Sequence, residues 1–388
     1  MPSEQELIDE RVRKIDTLRQ RGINPYPYKF IVTTKSDELH TKYDKLKPQD
    51  ETQDKVSVAG RVMGLRRMGK IAFIHLQDGQ GKIQTYLAKD SLEDYNALKQ
   101  LDRGDFLGVE GTIFKTKTGE ITVKAEKFVI LSKAIRPLPE KYHGLKDKEI
   151  RYRKRYLDMI MNPDVKKALL ARTTVMDTIR HVLNNKGFLE VETPILHSIY
   201  GGASARPFKS HLNALDMPVY MRVSNELFLK RLLIGGIEKV YEFSKDFRNE
   251  GTDRTHNPEF TQIEIYEAYV DLYDIMTLCE DVFRAAAKSL GSTTITFSDH
   301  EIDLAKPFVR ITMMDAIKKY GNIDVKDMSE ADLQTEVKKL KLKPANNKGM
   351  MILQLFEELA ESKLIQPTFV TEHPVETTPL AKTSRENP

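Results

Sequence analysis

The sequence has 388 residues, of which 40% are hydrophobic and 30% charged, and its formal net charge is +4. These values are typical of a globular protein of two domains, and the small charge does not by itself indicate a nucleic-acid partner. The single cysteine, Cys279, excludes an intrachain disulfide framework and fits a reducing compartment. Because no run approaches the roughly 18 apolar residues of a membrane span, and residues 1–10 do not resemble a secretory signal, we expect a cytoplasmic protein without a membrane partner.

The first predicted element is a helix over residues 3–21. Ser3 and Glu6 have the spacing of a capping box, and Gly22 is a helix-ending residue. The apolar stripe of this helix consists of Leu7, Val12, Ile15 and Leu18.

Residues 55–132 have the alternation of short β-strands. The predicted strands are 56–62, 71–76, 82–87, 106–114 and 121–131. A helix is predicted near residues 92–100, between the third and fourth strands. Five strands with a helix after the third are typical of a Greek-key barrel of the OB type, with another small β-barrel as the alternative.

Arg136-Pro137-Leu138-Pro139 marks the end of the barrel. The predicted organisation is therefore an N-terminal helix and barrel over 1–135, a linker over 136–162 and a second domain over 163–388. Residues 151–156 of the linker combine four basic residues with two tyrosines. Such a run fits either a segment that follows a phosphate backbone or a solvated linker helix.

The second domain begins with a predicted helix capped by Asn162, with Pro163 at its first position and Gly187 after its end. The later predicted elements are a strand at 188–194, a strand pair at 238–270, helices at 272–290 and 350–362, and a strand at 368–370. Because strands and helices mix without a βαβ rhythm, we predict an α+β domain with a mainly antiparallel sheet.

The predicted strand pair carries the most chemistry. Arg248 shares a strand face with Glu242, Ser244 and Asp246, and the return strand presents Gln262, Glu264 and Tyr266 on one side. Such a face could bind a phosphate with its arginine and an ammonium group with its carboxylates. A solvated sheet face with salt bridges explains the same spacing.

The motifs in this region decide between the two interpretations. Residues 247–250 (Phe-Arg-Asn-Glu) and 256–260 (His-Asn-Pro-Glu-Phe) resemble the second signature motif of class II aminoacyl-tRNA synthetases. The helix and strand over 163–194 resemble the first motif of that family. Residues 201–208 and 225–232, with parts of the barrel and linker, resemble its lysine-specific members. The resemblance covers nearly the whole chain.

The resemblance implies an ATP site built around Arg248, which would hold the α-phosphate of ATP and the carboxylate of lysine. Glu250 would contact the adenine end of ATP, and Phe260 would stack on adenine. His256 would reach the distal phosphates, with Asn257 beside it.

The resemblance also implies a site for L-lysine. Glu226 and the main chain at Gly202 would meet the α-amino group, and Glu264 with Tyr266 would face the ε-ammonium group, because a compact cation requires a fixed carboxylate. An aspartate- or asparagine-specific relative would need a cationic pocket there. Gly202 and its neighbour Gly201 fit a loop that moves over the amino acid, and also fit an ordinary turn.

In the barrel, the resemblance implies that Phe73, Gln84 and Glu120 read the anticodon of tRNA(Lys), by stacking and by hydrogen bonds to base edges. From its spacing alone, Phe73 fits the barrel core better. The barrel also separates this chain from the paralogue that lysylates an elongation factor, because that paralogue has none.

The resemblance breaks at the C-terminus, because the third family motif is absent before Asn387-Pro388. We expect the chain to be truncated, and we expect the ligands of Mg²⁺ to lie in the missing segment, with none in this chain. The leading hypothesis is a homodimeric enzyme that activates lysine with ATP and transfers it to tRNA. A tRNA-binding fragment with an incomplete active site is the alternative.

Overall fold

The computed structural model describes residues 2–139, 145–378 and 381–384. The chain forms two compact units, Met1–Val165 and Lys166–Pro388. Residues 140–144 of the predicted linker, and residues 385–388 at the predicted early end of the chain, lie outside the described residues. No helix in the described part of the chain combines the length and the apolar character needed to cross a bilayer.

The first helix, α1 (Glu4–Gln20), confirms the predicted capping box. The Glu6 main-chain N–H donates to Ser3 Oγ (3.3 Å), and the Ser3 N–H donates to the Glu6 carboxylate (2.6 Å). The predicted stripe is partly wrong, because Val12 is 40% exposed while Arg11 is buried. The Arg11 guanidinium donates to main-chain oxygens that follow the barrel, which makes a buried arginine favourable there.

The barrel confirms the predicted OB-type fold. After helix α2 (Ser36–Tyr43) its strands are β1 (Glu51–Met68), β2 (Ile71–Gln77), β3 (Lys82–Ala88), β4 (Phe106–Lys115) and β5 (Ile121–Ser132). They close in the order β1-β2-β3-β5-β4, with β3 and β5 parallel and the other pairs antiparallel. In β2, Ala72, Ile74 and Leu76 are buried inside the barrel, so the residues between them point outward.

The helix predicted near residues 92–100 is wrong in type. The chain forms two 3₁₀ turns there, Lys89–Ser91 and Tyr95–Gln100. The Asp94 side chain caps the second turn by accepting from the Ala97 N–H (3.2 Å). The second turn also buries Ala97 and Leu98.

The basic tyrosine-containing run forms helices α3 (Lys148–Arg153) and α4 (Arg155–Met161). The Asp158 carboxylate is completely buried and receives one hydrogen bond each from Arg151 and Arg155, both at 2.9 Å. Because two arginines of the run neutralise this buried carboxylate, the structure favours the linker-helix interpretation.

The second unit contains an α+β arrangement, as predicted. Its first elements are α5 (Pro163–Asn185), β6 (Leu189–Glu190), β7 (Leu196–His197), β8 (Lys209–Leu212), β9 (Met217–Met221), α6 (Glu226–Ile234), β10 (Lys239–Phe247) and β11 (Glu259–Glu267). Then follow α7 (Leu272–Ser289), β12 (Thr294–Phe297), β13 (His300–Asp303), β14 (Val309–Thr312), α8 (Met313–Gly321), α9 (Glu330–Lys339), α10 (Lys348–Leu359) and β15 (Thr368–Thr371).

The sheets have the orders β11-β10-β6, β7-β9-β8, β12-β13 and β14-β15. Their pairs are antiparallel except β6 with β10 and β14 with β15. One face of the β10–β11 hairpin packs in a core that includes Leu183, Phe188, Tyr241 and Leu278. Helices α8, α9 and α10 form a separate core. The hairpin therefore has its apolar face covered, and its opposite face is free to carry the site.

The strand predicted over 188–194 is wrong in length, because only Leu189–Glu190 pairs with β10. The Thr193 hydroxyl and N–H instead donate to the Glu242 carboxylate (2.7 and 3.3 Å). These side-chain contacts, followed by Pro194, replace the strand ladder.

Candidate active site and barrel face

The β10–β11 hairpin places the predicted polar residues on one face. Its register sets Glu242 opposite Glu264 and Ser244 opposite Gln262. Ile263 packs in the apolar core on the other side. The two faces predicted from alternation are therefore confirmed as geometry, while the function of each residue stays a prediction.

Glu264 is the centre of a hydrogen-bonded group on this face. Its carboxylate accepts from Ser224 Oγ (2.8 Å), Gln262 Nε2 (2.5 Å) and the Tyr266 hydroxyl (2.7 Å). Burial, and then the hydrogen bond to Glu264, raise the pKa of Tyr266 far above its usual value. The phenol therefore remains a donor, and its hydrogen bond helps to hold the Glu264 carboxylate in one orientation.

Gly202 and Glu226 lie against the same group. Gly202 has φ +88°, and a Cβ there would lie 2.9 Å from Ser224 Oγ and 3.1 Å from Glu226 Cβ. The Glu226 N–H donates to Ser224 Oγ (3.1 Å) and its carboxylate pairs with Lys230. The structure thus brings four of the five predicted lysine-binding residues, all except Arg248, together near Ser224, which was not predicted from the sequence.

A buried ionic network supports this group. The Glu242 carboxylate accepts from Arg222 (2.7 Å), Asn225 (2.9 Å) and Thr193 (2.7 Å). Burial alone would raise the pKa of Glu242, but these three hydrogen bonds outweigh it and lower the pKa. Because Asn225 precedes helix α6, the network fixes the start of that helix and hence Glu226. The sequence around Arg222 has no periodic pattern that would have marked this residue as part of the site.

Arg248 follows the last residue of β10, and its N–H donates to the Pro258 carbonyl oxygen (2.9 Å). Its guanidinium carbon lies 5.1 Å from the centroid of the Phe260 ring. The buried Nε has no hydrogen-bond partner in the described part of the chain. An unpartnered buried N–H of a guanidinium beside an aromatic ring is what an adenine nucleotide would use, by a charge-assisted bond and by stacking.

Glu250 lies in an open groove next to Arg248. The groove has a volume of about 500 Å³ and is lined by Ser204, Ala205, Arg206, Asn249, Glu250 and Gly251. The Arg206 N–H donates to the Glu250 carboxylate (3.1 Å), and the Asn249 N–H donates to the Arg206 carbonyl oxygen (2.8 Å). These contacts join the loop before β8 to the loop after β10.

His256 and Asn257 are held by contacts within the β10–β11 loop. His256 Nδ1 lies 2.8 Å from Asp253 Oδ2, and Asn257 Nδ2 donates to the Glu259 carbonyl oxygen (2.6 Å). Main-chain donation from Thr255, followed by the His256 side chain, lowers the pKa of Asp253 strongly. The His256 side chain is 73% exposed. Its contact with distal phosphates stays a prediction.

The barrel face brings Phe73, Gln84 and Glu120 to one open groove of about 960 Å³. The Phe73 ring lies 5.2 Å from the Tyr86 ring, which lies 5.9 Å from the Phe114 ring. The interpretation of Phe73 as a core residue is wrong, because its neighbours in β2 point into the barrel. Tyr86 was not predicted from the sequence, although it follows Gln84 by two residues and so shares its strand face.

A chain of hydrogen bonds fixes the orientation of the Gln84 side chain. The Thr122 hydroxyl donates to the Glu120 carbonyl oxygen (3.1 Å), so its oxygen must accept from Gln84 Nε2 (2.9 Å). The amide oxygen of Gln84 is therefore left to accept a hydrogen bond in the groove. Glu120 lies at the same groove, with its carboxylate 3.2 Å from His75 Nε2.

Within residues 2–139, 145–378 and 381–384, no three His, Cys, Asp or Glu side chains form a group that could hold a metal ion. A metal site built from three or more of these side chains is therefore absent from the described residues, whereas Mg²⁺ in nucleotide sites is usually bound by one or two carboxylates together with phosphates.

Two protein families match this architecture. The family described as "OB-fold nucleic acid binding domain" matches residues 56–131, which are the barrel. The family "tRNA synthetases class II (D, K and N)" matches residues 147–388, which include the hairpin and its site. The class that the fold and site define is thus the class II tRNA synthetases with an OB-fold barrel.

Curated relatives narrow this class. Lysine–tRNA ligase of Oceanobacillus iheyensis is 47% identical over 390 residues, covering 98% of this chain and 79% of the relative. Lysine–tRNA ligase of Bacillus subtilis is 48% identical over 396 residues, covering 99% and 79%. That of Thermoanaerobacter sp. is 48% identical over 390 residues, covering 99% and 77%. The chain belongs to the lysine–tRNA ligase family of class II tRNA synthetases.

Proposed function

We propose that this chain activates L-lysine with ATP to form lysyl-adenylate and pyrophosphate, and then transfers lysine to tRNA(Lys). The observation that carries the proposal is the fixed Glu264 carboxylate with its three donors. A half-buried carboxylate held in a fixed orientation selects a side chain that ends in a cation, because a neutral analogue would leave its negative charge uncompensated.

In this proposal, lysine lies between Glu264 on one side of Ser224 and Glu226 with Gly202 on the other. Its ε-ammonium group donates to Glu264, and Tyr266 holds that carboxylate from the other side. Its α-amino group donates to Glu226 and to the main chain at Gly202. The close approach of Gly202 to Ser224 and Glu226 keeps this end of the pocket narrow.

Arg248 holds the lysine carboxylate and the α-phosphate of ATP together, using the guanidinium whose Nε is unpartnered. The carboxylate is already ionised at neutral pH, so no general base is needed for its in-line attack on the α-phosphorus. A carboxylate oxygen forms the new bond to phosphorus, the bond to the bridging oxygen breaks, and pyrophosphate leaves. Positioning and charge stabilisation by Arg248 therefore supply most of the catalysis.

Adenine stacks on Phe260, and Glu250 contacts its amino edge. His256 and Asn257, on the exposed β10–β11 loop, contact the distal phosphates. Mg²⁺ accompanies ATP and neutralises phosphate charge when it is bound.

The barrel binds the anticodon in this proposal. The Gln84 amide oxygen, turned toward the groove by Thr122, accepts from a base N–H, and a base stacks on Phe73. Glu120 accepts from a second base edge. A base that presents an acceptor instead of an N–H at Gln84 would face two acceptors and bind less well.

The functional form is a cytoplasmic homodimer in this proposal. Helix α5 supports this assembly, because Leu169 and Leu170 on its surface are 46% and 58% exposed. Apolar side chains exposed on one helix are typical of an interface between subunits.

Lysine-dependent ATP–pyrophosphate exchange on this 388-residue chain tests the proposal. We expect exchange with lysine and not with norleucine or glutamate. Arg248→Ala should lower the exchange rate by about 100-fold or more, whereas Glu267→Gln should not, because Glu267 pairs with Lys239 at the far end of β11. If exchange is absent while an anticodon stem-loop still binds, the activity is contradicted for this chain, and it acts as a tRNA-binding fragment.

A further inference from the structure

Asp246 is a buried acid that the proposed mechanism does not use. Its side chain is completely buried, and neither carboxylate oxygen has a hydrogen-bond partner in the described part of the chain. Oδ1 lies 3.1 Å from Arg222 Nε, but that N–H points to the Lys245 carbonyl oxygen (2.9 Å), so the contact is an ion pair without an aligned hydrogen bond. Ser244 Oγ, two residues earlier on the same face, is also buried without a partner.

The charges around Asp246 do not balance. Arg222 from the end of β9 is the cation that faces it, while Glu242 of β10 and Glu264 of β11 lie near enough to act on its ionisation. Glu226, at the start of α6, adds a further carboxylate that pairs with Lys230. Glu242 receives four hydrogen bonds and Glu264 receives three. Asp246 is therefore the acid of this face whose negative charge is least compensated.

Resting on the proposed lysine site, we propose that Asp246 is a specificity-determining residue whose carboxylate is ionised by the arrival of an amino acid with a cationic side chain. Asp246 does not touch the ligand in this arrangement. It acts through its electrostatic interaction with the charges at Glu264, because charges in a water-poor interior interact over longer distances than in solvent. The preferred ligand is thus an amino acid with a terminal ammonium group.

The expected release of a proton follows from the ionisation of Asp246 in the absence of lysine. Burial raises the pKa of Asp246 most strongly, the charge of Arg222 and the neighbouring Ser244 hydroxyl lower it, and the charges of Glu264 and Glu242 raise it further, so that the pKa lies at about 6. When lysine brings its ammonium group next to Glu264, that added positive charge favours the carboxylate form of Asp246. The proton leaves Asp246 for solvent, and no other bond forms or breaks. Lysine binding and proton release are therefore linked near pH 6.

Isothermal titration of the chain with lysine tests the linkage. The titrations are run at pH 6 and 7.5, each in two buffers of different ionisation enthalpy, so that the number of released protons is measured directly. We expect release of a few tenths of a proton per lysine at pH 6 and almost none at pH 7.5. The Kd for lysine should rise by up to about tenfold for each pH unit below 6.

The matched variants are Asp246→Asn and Asp253→Asn, the second on the exposed β10–β11 loop. Asp246→Asn should bind lysine more weakly than the wild type at pH 7.5 and should lose the proton release at pH 6, whereas Asp253→Asn should keep both. Melting curves without lysine show whether each variant is folded. Should Asp246→Asn unfold, Asp246→Ser, with a smaller neutral side chain, gives the same comparison.

Unchanged proton release in a folded Asp246 variant overturns the inference and leaves the proposed function standing. Absence of lysine binding to the wild type at pH 7.5 overturns the proposed function, and the inference with it. Proton release that disappears with Asp246 supports both.

Discussion

Replacing Arg222 by methionine should destabilise the β10–β11 region strongly. The Arg222 side chain donates to the Thr193 carbonyl oxygen (3.1 Å), the Lys245 carbonyl oxygen (2.9 Å) and Glu242 (2.7 Å). It is also the ion-pair partner of Asp246. Methionine has a similar volume but removes the charge, so it leaves these buried acceptors without their cation.

The magnitude of the destabilisation follows from the interactions that Glu242 and Asp246 keep in the variant. Removing one partner of a buried ion pair costs about 3–5 kcal/mol. Glu242 keeps its bonds from Thr193 and Asn225, and Asp246 can take up a proton, so we expect the lower part of that range, about 3 kcal/mol. Because about 1.4 kcal/mol corresponds to a factor of ten, the opening equilibrium should rise by roughly 100-fold.

Native-state hydrogen exchange followed by mass spectrometry measures this effect locally. Peptides covering β10 and β11 should lose about 100-fold protection, while barrel peptides covering β2 and β3 serve as an internal control. The matched variant is Arg172→Met, because Arg172 is exposed and donates to Thr261 Oγ1 (3.0 Å). That change should stay within about 0.5 kcal/mol. Equal protection losses in the two variants would refute the reasoning about the buried network.

Three further predictions concern the site, the barrel and pH. Glu264→Gln should weaken lysine binding measured by calorimetry by about 100-fold, since a hydrogen bond to a charged group is worth about 1.5–3 kcal/mol, while Glu267→Gln should leave it unchanged. Gln84→Ala should weaken binding of an anticodon stem-loop, measured by fluorescence anisotropy, by about 10-fold or more without slowing pyrophosphate exchange, and parallel losses in both assays would contradict an anticodon role. Because the folded-state pKa of Asp246 is raised to about 6, its contribution favours the folded state at acid pH and is lost as pH rises from about 4 to 6, by roughly 3 kcal/mol at most. The free energy of unfolding, measured with urea at pH 5 and 7.5, should therefore differ less between the two pH values in Asp246→Asn than in the wild type. Equal differences in the two proteins would exclude Asp246 as the source of this pH dependence.

The barrel could be predicted because its strands alternate strictly and are separated by clear turn residues. Each strand that the alternation predicted is present, and β1 is longer at both ends than predicted. The two 3₁₀ turns could not be predicted, because each is too short for hydrophobic periodicity to distinguish it from an α-helix. Helix α2 was missed, because its eight residues form too short a window for a reliable period.

The site could be predicted only in part. Alternation placed Gln262, Glu264 and Tyr266 on one face, and the family motifs supplied their expected roles. Ser224 and Arg222 were not found, because their importance comes from contacts between segments far apart in the chain. The strand predicted up to Pro194 was cut short by the same kind of contact, made here by Thr193.

The backbone at Gly202 limits how this pocket can be redesigned. Its φ of +88° disfavours any L side chain, and a Cβ would collide with Ser224 Oγ at 2.9 Å. Libraries that vary position 202 should thus yield mostly poorly folded or inactive proteins. A larger non-natural amino acid is better accommodated by shortening Ser224 or Gln262, which lie around Glu264 and have ordinary backbone conformations. In an engineered synthetase, Gly202 should therefore be kept, and the residues around the Glu264 carboxylate are the ones to vary.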